Sequence, residues 1–460
     1  MLKYRYIQKL LLNCTVNFYK TYMKPLNIAI LGCGTVGGGV AKILTEQKDL
    51  LSKRAGREIN LKYIAELNPP AAIARFGLDK KYFIGGGSEV SREDAGNNIQ
   101  KVLTDPDIDV VVETMGGTSN FVHDTCFGVV HNGKNLVTAN KALLAERGVD
   151  IFQEAEKQNV KIGYEAAVCG AIPIIKGIKE SFTGDIINEV CGIFNGTSNY
   201  ILTQMQQKGL DFDSALKLAQ QNGYAEADPT LDINGGDASH KLILLIKLAF
   251  GIDVSMEQLS RIGIQNITKN DIDFASEINA SIKLICMAKR EGNQIFATVR
   301  PMAVKNDNIL SSVNFAVNAV KLDAEYSKTH FFIGKGAGSS ETAMSIVSDI
   351  VFIARHGQSD TYTEKNNFAL GDANKIEFPY LVSFKTKNLP GTTGLITTAI
   401  GNQQINIETV SHNRFSGATA DFSIETASST IEQIEKAIEE IKSLNKDLLL
   451  EEPKVLPILF

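Results

Sequence analysis

An apolar run of β type, Leu26 to Leu31, passes without a gap into Gly32-Cys33-Gly34-Thr35-Val36-Gly37, and a helical stretch follows through Leu44. Few folds accommodate that order. The first glycine permits a tight turn between strand and helix, the second lets backbone approach a pyrophosphate, and the third allows the helix to lie close on the strand. Phosphates then sit at the helix N-terminus, where unpaired amides and the helix dipole attract an anion. Glycines at this spacing alone read as a turn. With strand and helix in place they read as a dinucleotide site lined by Gly32, Gly34 and Gly37, in a Rossmann domain that opens near Met23.

The segments that follow extend a parallel sheet. Ile59 to Ala65 reads as its next strand, and Glu66 at the end of it is placed to accept hydrogen bonds from the adenosine ribose hydroxyls, which favours NAD. The interval from the glycines is longer than usual, through the polar stretch Lys53 to Glu58, and Arg75 lies near enough in sequence that NADP stays open. Asp109 to Glu113 is a buried-type strand running into Thr114-Met115-Gly116-Gly117, a turn whose small residues face the nicotinamide half of the cofactor or simply close a βα loop. Asn135 to Ala139 ends in Asn140-Lys141, which puts a lysine at the carboxyl edge of the sheet, where ligands bind.

Beyond Lys157 the pattern changes. In Tyr164-Glu165-Ala166-Ala167-Val168-Cys169-Gly170-Ala171-Ile172-Pro173, an acid stands among small apolar residues. A turn there either joins the Glu165 carboxylate with carbonyl oxygens to hold a hard monovalent cation, or turns the carboxylate onto the start of the next helix. The stretch Asn222 to Lys241 carries Glu226, Asp228, Asp232 and Asp237 ahead of Lys241, and the helix Leu242 to Phe250 that follows is apolar on every side. Such a helix is buried. Asp237 and Lys241, four residues apart, share one of its faces. A buried ammonium is costly unless paired, and it answers by lowering its pKa, which suits a lysine to proton transfer near neutrality. The alternative is a helix-start ion pair with a snorkelling stem.

A chain of 460 residues, 44% hydrophobic and 22% charged, needs more than one core, and its net charge of −5 gives no footprint for nucleic acid. Cys14, Cys33, Cys126, Cys169, Cys191 and Cys286 are scattered without paired spacing, which argues against a disulfide framework or zinc site and fits a reducing cytoplasm. The N-terminal extension 1–22 carries Lys3, Arg5, Lys9 and Lys20 and no acid, is too short for a membrane span, and reads as a disordered tail. At the other end, Phe378 to Lys387 is strand-like, Asn388-Leu389-Pro390-Gly391 is a turn, and a helix begins near Thr392. Ile405 to Ser411 and Ala418 to Thr426 read as paired strands. Ser429-x-x-Glu432 reads as a capping box before a helix with apolar residues from Ile431 to Leu444, and Lys454 to Phe460 as a last strand.

From Met23 on, the chain resembles the homoserine dehydrogenases: Asn195-Gly196-Thr197-Ser198-Asn199-Tyr200-Ile201-Leu202 and the segment Ala219 to Lys241 match that family's two most distinctive motifs. The resemblance implies NAD(P)-dependent interconversion of L-homoserine and L-aspartate 4-semialdehyde in threonine, methionine and isoleucine biosynthesis. It makes Lys241 the acid/base, with Lys141 assisting near the nicotinamide and Glu226 and Asp237 binding the amino acid. Thr35, Val36, Gly223 and Gly338 become further cofactor contacts, and Glu165, Val168, Gly170 and Ile172 ligands of a sodium ion. Glu341 departs from the family, which more often has proline there.

The C-terminal pattern is similar to an ACT domain, a ferredoxin-like module that binds amino acids such as threonine between subunits, although Asn388 stands where that family usually has aspartate. The partition expected is a nucleotide domain over 23–155, a catalytic and dimerisation domain over 156–332, a helical return over 333–372 and the ACT-like unit over 376–460, assembled as a homodimer or homotetramer. A dehydrogenase of another semialdehyde is disfavoured, since a phosphorylating one needs a nucleophilic cysteine with a histidine. A non-catalytic NAD-binding amino-acid sensor would lack the acid and lysine cluster that this chain retains.

Overall fold

A computed structural model describes residues 24–356 and 366–460. The N-terminal extension 1–22, and Cys14 with it, lies outside the described residues. The chain forms two compact units, one reaching Lys176 and including helix Ser339–His356, the other built from Gly177–Gly336 and the C-terminal segment.

In the first unit, β1 (Leu26–Leu31), β2 (Ile59–Ala65), β3 (Val110–Glu113), β4 (Asn135–Thr138) and β5 (Ile162–Gly163) form a five-stranded parallel sheet in the order β2-β1-β3-β4-β5. The apolar run Ile28 to Leu31 of β1 follows from cover on both faces. Ile28 and Ile30 enter one core with Val40 and Leu44 of α1 (Thr35–Glu46) and with Ile346 and Ile350 of helix Ser339–His356, while Ala29 and Leu31 enter another with Val102, Val129 and Leu143. Each of the valine, leucine and isoleucine side chains among them, fully buried, contributes about 1.5–3 kcal/mol. The strand order reverses between β1 and β3, and at such a switch point ligands bind beyond the carboxyl ends of the strands. Among the described residues no helix is long and apolar enough to cross a membrane.

The second unit holds a mixed sheet. Its members are β6 (Ile187–Ile193), β7 (Ser260–Arg261), β8 (Ala280–Glu291), β9 (Gln294–Lys305), β10 (Val317–Ala324), β11 (Lys328–Lys335), β12 (Ala369–Leu370), β13 (Tyr380–Lys387), β14 (Ile407–Ser416), β15 (Thr419–Thr426) and β16 (Lys454–Leu459). The main path runs β11-β10-β6-β8-β9-β16-β13-β15-β14, with β7 and β12 also on β9. Helices α3 (Gly196–Lys208) and α4 (Gly236–Phe250) pack on β8. At the C-terminus the order is βαββαβ, with α5 (Thr392–Asn402) and α6 (Ile431–Leu444) between the strands.

That segment is joined to the rest of its unit rather than hung from it. β16 pairs antiparallel with β13 and, through Ile458 and Leu459, parallel with Ala303 and Val304 of β9. Lys305 Nζ meets Glu425 Oε1 at 2.6 Å. One core takes Ile193, Met302 and Val304 together with Phe384, Ile424 and Ile438.

The expected capping box is corrected by one residue: Thr430 caps α6 and Gln433 closes the box, with Glu432 inside the first turn. The reason is tertiary, for the Ser429 backbone is already paired with Phe378 in both directions, at 2.9 and 3.0 Å. We expect Ile424→Ala to destabilise by about 2–5 kcal/mol. Because the core is shared, hydrogen exchange should rise in β8 and β9 as well as in β15.

Candidate active site

The nucleotide half rests on the turn after β1. Gly32 has φ +86°, and a side chain there would press on the Thr114 carbonyl; one at Gly37 would collide with the Gly32 carbonyl and the Thr114 hydroxyl, which itself donates to Gly32 O at 2.7 Å. Gly34 differs. A Cβ there meets nothing within 4 Å, and as N-cap of α1 it provides no side-chain hydrogen bond to the first turn. An open, uncapped helix start with room for backbone approach fits a pyrophosphate. Thr35 is exposed and Val36 half-buried beside it.

Glu66 is turned onto protein backbone. Its Oε2 accepts from the Cys33 amide, and its Oε1 from the amides of Leu67 at 2.8 Å and Asn68 at 3.0 Å. It thus ties the end of β2 to the glycine turn. Together with burial, that carboxylate pushes the Cys33 thiol up to about 12.

Gly116 and Gly117, at φ +75° and +81°, form an exposed turn after β3. It is set by a residue that sequence reasoning did not single out. The wholly buried Glu113 accepts from the amides of Met115 at 2.8 Å and Gly116 at 2.9 Å, and from the Thr138 hydroxyl at 2.6 Å. Asn140 donates to the Gly117 carbonyl at 2.8 Å and caps helix α2 (Lys141–Arg147). Lys141 is therefore the first residue of α2, half-buried, beside that turn. Gly338, at φ +140°, precedes helix Ser339–His356; a side chain there would collide with the Glu341 carboxylate. Glu341 leaves the helix start intact.

The segment around Glu165 folds into a short turn with Cys169 and Gly170 both at φ 53°. Buried Glu165 accepts from the amides of Ile175 at 2.8 Å and Lys176 at 2.9 Å, the helix-start reading of this acid. Lys176 lies 3.6 Å from it and pairs with Asp349, which accepts from the Glu165 amide at 3.0 Å. Burial raises the Glu165 carboxyl pKa, and Asp349 adds to the rise.

The candidate acid and lysine cluster lies in the second unit. Helix α4 is buried almost throughout, as its composition requires. Lys241 Nζ donates to Asp237 Oδ2 at 2.7 Å and to the Phe194 carbonyl at 2.7 Å. Asn195 joins this pair to a second acid, its Nδ2 donating to Asp237 Oδ2 at 2.8 Å and to Asp232 Oδ1 at 2.7 Å, while its Oδ1 caps α3 at Ser198 N. Burial raises the Asp232 carboxyl pKa, against the pull of the Asn195 bond. Buried Asn318 donates to the same Phe194 carbonyl at 2.8 Å.

Glu226 and Gly223 sit on an exposed loop, and the Glu226 carboxylate is outside the hydrogen-bonded cluster. Asp228 is exposed and bonded to Thr230, which lowers its pKa. The structure thus gathers Lys241, Asp237 and Asp232 and leaves Glu226 on the rim. Asn195 was visible only as part of a motif, and nothing local marked Asn318.

A parallel-sheet nucleotide unit with an open glycine cradle, in a chain that also buries a lysine–aspartate pair, defines an NAD(P)-dependent oxidoreductase acting on a CH–OH group. Family models match twice: "Homoserine dehydrogenase, NAD binding domain" over residues 32–165 and "Homoserine dehydrogenase" over residues 173–351. The chain belongs to the homoserine dehydrogenase family.

It is 38% identical over 396 residues to the homoserine dehydrogenase of Neisseria gonorrhoeae, covering 84% of this chain and 88% of that protein. Against that of Pseudomonas aeruginosa it is 35% identical over 398 residues, with the same coverage of 84% and 88%. The crystal structure of a homoserine dehydrogenase from Thiobacillus denitrificans superposes with a TM-score of 0.85 at 33% identity, over 95% of this chain and 98% of that one.

The two glycines separate binding from folding. Gly34→Ala should leave the melting temperature unchanged and weaken dinucleotide binding by about tenfold or more, roughly the loss of one good phosphate contact. Gly37→Ala should lower both, as titration calorimetry and thermal unfolding would show.

Proposed function

We propose that Lys241 is the acid/base through which this homoserine dehydrogenase moves a proton to and from the substrate oxygen. The observation that carries it is the buried ammonium held between a carboxylate and a main-chain carbonyl at the start of a buried helix. A nicotinamide bound at the glycine cradle supplies or accepts the hydride at the substrate carbon. Lys241 gives its proton to the alkoxide as it forms and recovers it in the oxidation of homoserine. Asp237 and the Phe194 carbonyl hold the ammonium in one orientation, and Lys141 adds positive potential. Asp237 and Glu226 take the substrate ammonium, and amides at the start of α3 take its carboxylate. The remaining cofactor contacts are Gly32, Gly34, Thr35, Val36, Gly37, Gly116, Gly117, Gly223 and Gly338, with Glu66 reaching a ribose hydroxyl through a lone pair beyond its three amide bonds.

Sodium is a finer proposal. The Glu165 carboxylate is engaged by two amides and lies near an ammonium, so a cation here would rest on the carbonyls of Glu165, Val168, Gly170 and Ile172. The Gly170 carbonyl accepts from Ser345 and that of Ile172 from the Ile174 amide, and each keeps a second lone pair. No catalytic step is routed through the ion.

We further propose that the C-terminal unit over 376–460 is an ACT domain. Its βαββαβ order and the strand order β16-β13-β15-β14, the ferredoxin-like arrangement, support this reading. In function it follows a nucleotide domain at 23–155, a catalytic and dimerisation domain at 156–332 and a helical return at 333–372, in a cytoplasmic homodimer or homotetramer. Threonine is the effector proposed.

Following nicotinamide absorbance with L-homoserine and either NAD or NADP tests both readings. Lys241→Ala should lower kcat by about 10²–10⁴-fold, the usual worth of a positioned acid or base, with dinucleotide affinity retained. Threonine should inhibit the unaltered chain. A folded Lys241→Ala protein with full turnover would overturn the catalytic assignment, and indifference to threonine would reduce the C-terminal unit to a structural part.

A further inference from the structure

Lys283 of β8 is fully buried, and its three ammonium protons go to three uncharged oxygens: the Val313 carbonyl at 2.7 Å, Asn314 Oδ1 at 2.9 Å and Asn199 Oδ1 at 3.3 Å. An ammonium buried without a counter-charge is an expensive way to fill space, since an apolar side chain of similar volume would serve the core better. Burial pushes its pKa down to about 8, so the charged form with all three bonds prevails at neutral pH.

What those bonds hold is a strained segment. Phe315 has φ +58°, a left-handed backbone that is an outlier for a bulky residue and persists only where its surroundings enforce it. They do so from several sides. Asn199 Nδ2 donates to the carbonyls of Val313 at 3.0 Å and Val317 at 3.1 Å, and the Phe315 amide donates to Thr203 Oγ1 at 3.0 Å. The ring so fixed is 45% exposed, so burying it is not the purpose of the strain.

Its neighbour is informative. The Phe315 ring centroid lies 6.4 Å from that of Tyr200, and Tyr200 lies 4.5 Å from Tyr224. Asn222 donates to the Tyr200 hydroxyl at 3.0 Å, and Thr197 donates to the Tyr224 carbonyl at 2.7 Å. Tyr200 therefore grips the loop that carries Gly223 and Glu226, and the Phe315 ring packs beside Tyr200.

We infer that Lys283 and Phe315 are positioning residues for substrate recognition: the buried ammonium clamps the strained 313–315 segment, the Phe315 ring backs Tyr200, and Tyr200 sets the Asn222–Glu226 loop for the substrate ammonium. The inference rests on the reading of Glu226 as a substrate ligand. Neither side chain touches substrate; both act through the loop.

The test measures KM for homoserine, KM for the dinucleotide, kcat and melting temperature in Phe315→Gly, Phe315→Tyr, Lys283→Met and Glu226→Gln. Phe315→Gly relieves the strain and removes the ring. It should hold or raise the melting temperature, raise KM for homoserine about fivefold, and leave kcat and the dinucleotide KM within about twofold, a gap of roughly 1 kcal/mol in one ligand alone. Phe315→Tyr, which keeps ring and backbone, should keep the original KM, and Lys283→Met should follow Phe315→Gly. Should Lys283→Met fail to fold, the Gly and Tyr pair at 315 decides. An unchanged homoserine KM in Phe315→Gly alongside a raised one in Glu226→Gln overturns the clamp alone. An unchanged KM in Glu226→Gln removes the substrate role of the loop, and the clamp falls with it.

Discussion

The ammonium of Lys241 is held where the end of β6 meets the first turn of α4, and most of the second unit can be understood as a mounting for it. Asp237 sits one turn before it on the same helix, and the Phe194 carbonyl closes the other side. Removing one partner from a buried pair of this kind costs about 3–5 kcal/mol, because the other charge is left without compensation. Neither partner can swing out to water, since the helix that bears them is packed on nearly all its faces. Asn195 and Asn318 then fix what the pair itself leaves free, one by bridging Asp237 to Asp232, the other by sharing the carbonyl. Rigid neutral donors around a charged group keep its orientation without adding a second full charge to the site.

What could be read from the sequence is what backbone geometry or helical spacing encodes locally. Gly32 and Gly37 are legible because no side chain fits there, and Asp237 with Lys241 because four residues make one helical turn. The central strands of the first sheet are legible through the runs Ile28 to Leu31 and Val110 to Val112, which are apolar because both faces are covered. Glu113, Asn195 and Asn318 were not legible in those terms. Asn195 and Asn318 work through partners brought close by folding, Phe194 and Asn318 standing 124 positions apart, and Glu113 adds the Thr138 hydroxyl, 25 positions on, to its two local amides. The cap of α6 failed for a related reason. Ser429 and Thr430 are equally good caps on paper, and the pairing of Ser429 with Phe378 decides between them.

The acids expected to face ligands teach something different. Both Glu66 and Glu165 spend carboxylate lone pairs on main-chain amides, the first fastening the glycine turn to β2, the second closing the start of a short helix. A carboxylate at the end of a strand or beside a helix has amides within reach before any ligand arrives. Sequence patterns locate the acid; they do not say which donors reach it first. Lys283 is the converse case, a charge inside the core whose three hydrogen bonds go to neutral oxygens.

The junction of β16 with β9 bears on how such a chain can change over time. A module joined by a linker can be shed by a premature stop codon, leaving its neighbour intact. Here the last strand completes a sheet, and its loss would bare the edge of β9 together with the apolar residues that Ile424 and Ile438 now cover. An exposed edge of that kind invites pairing with other chains. A lineage in which the C-terminal unit binds no effector would therefore still keep it as scaffold, so that its presence in a genome is no guide to a regulatory role.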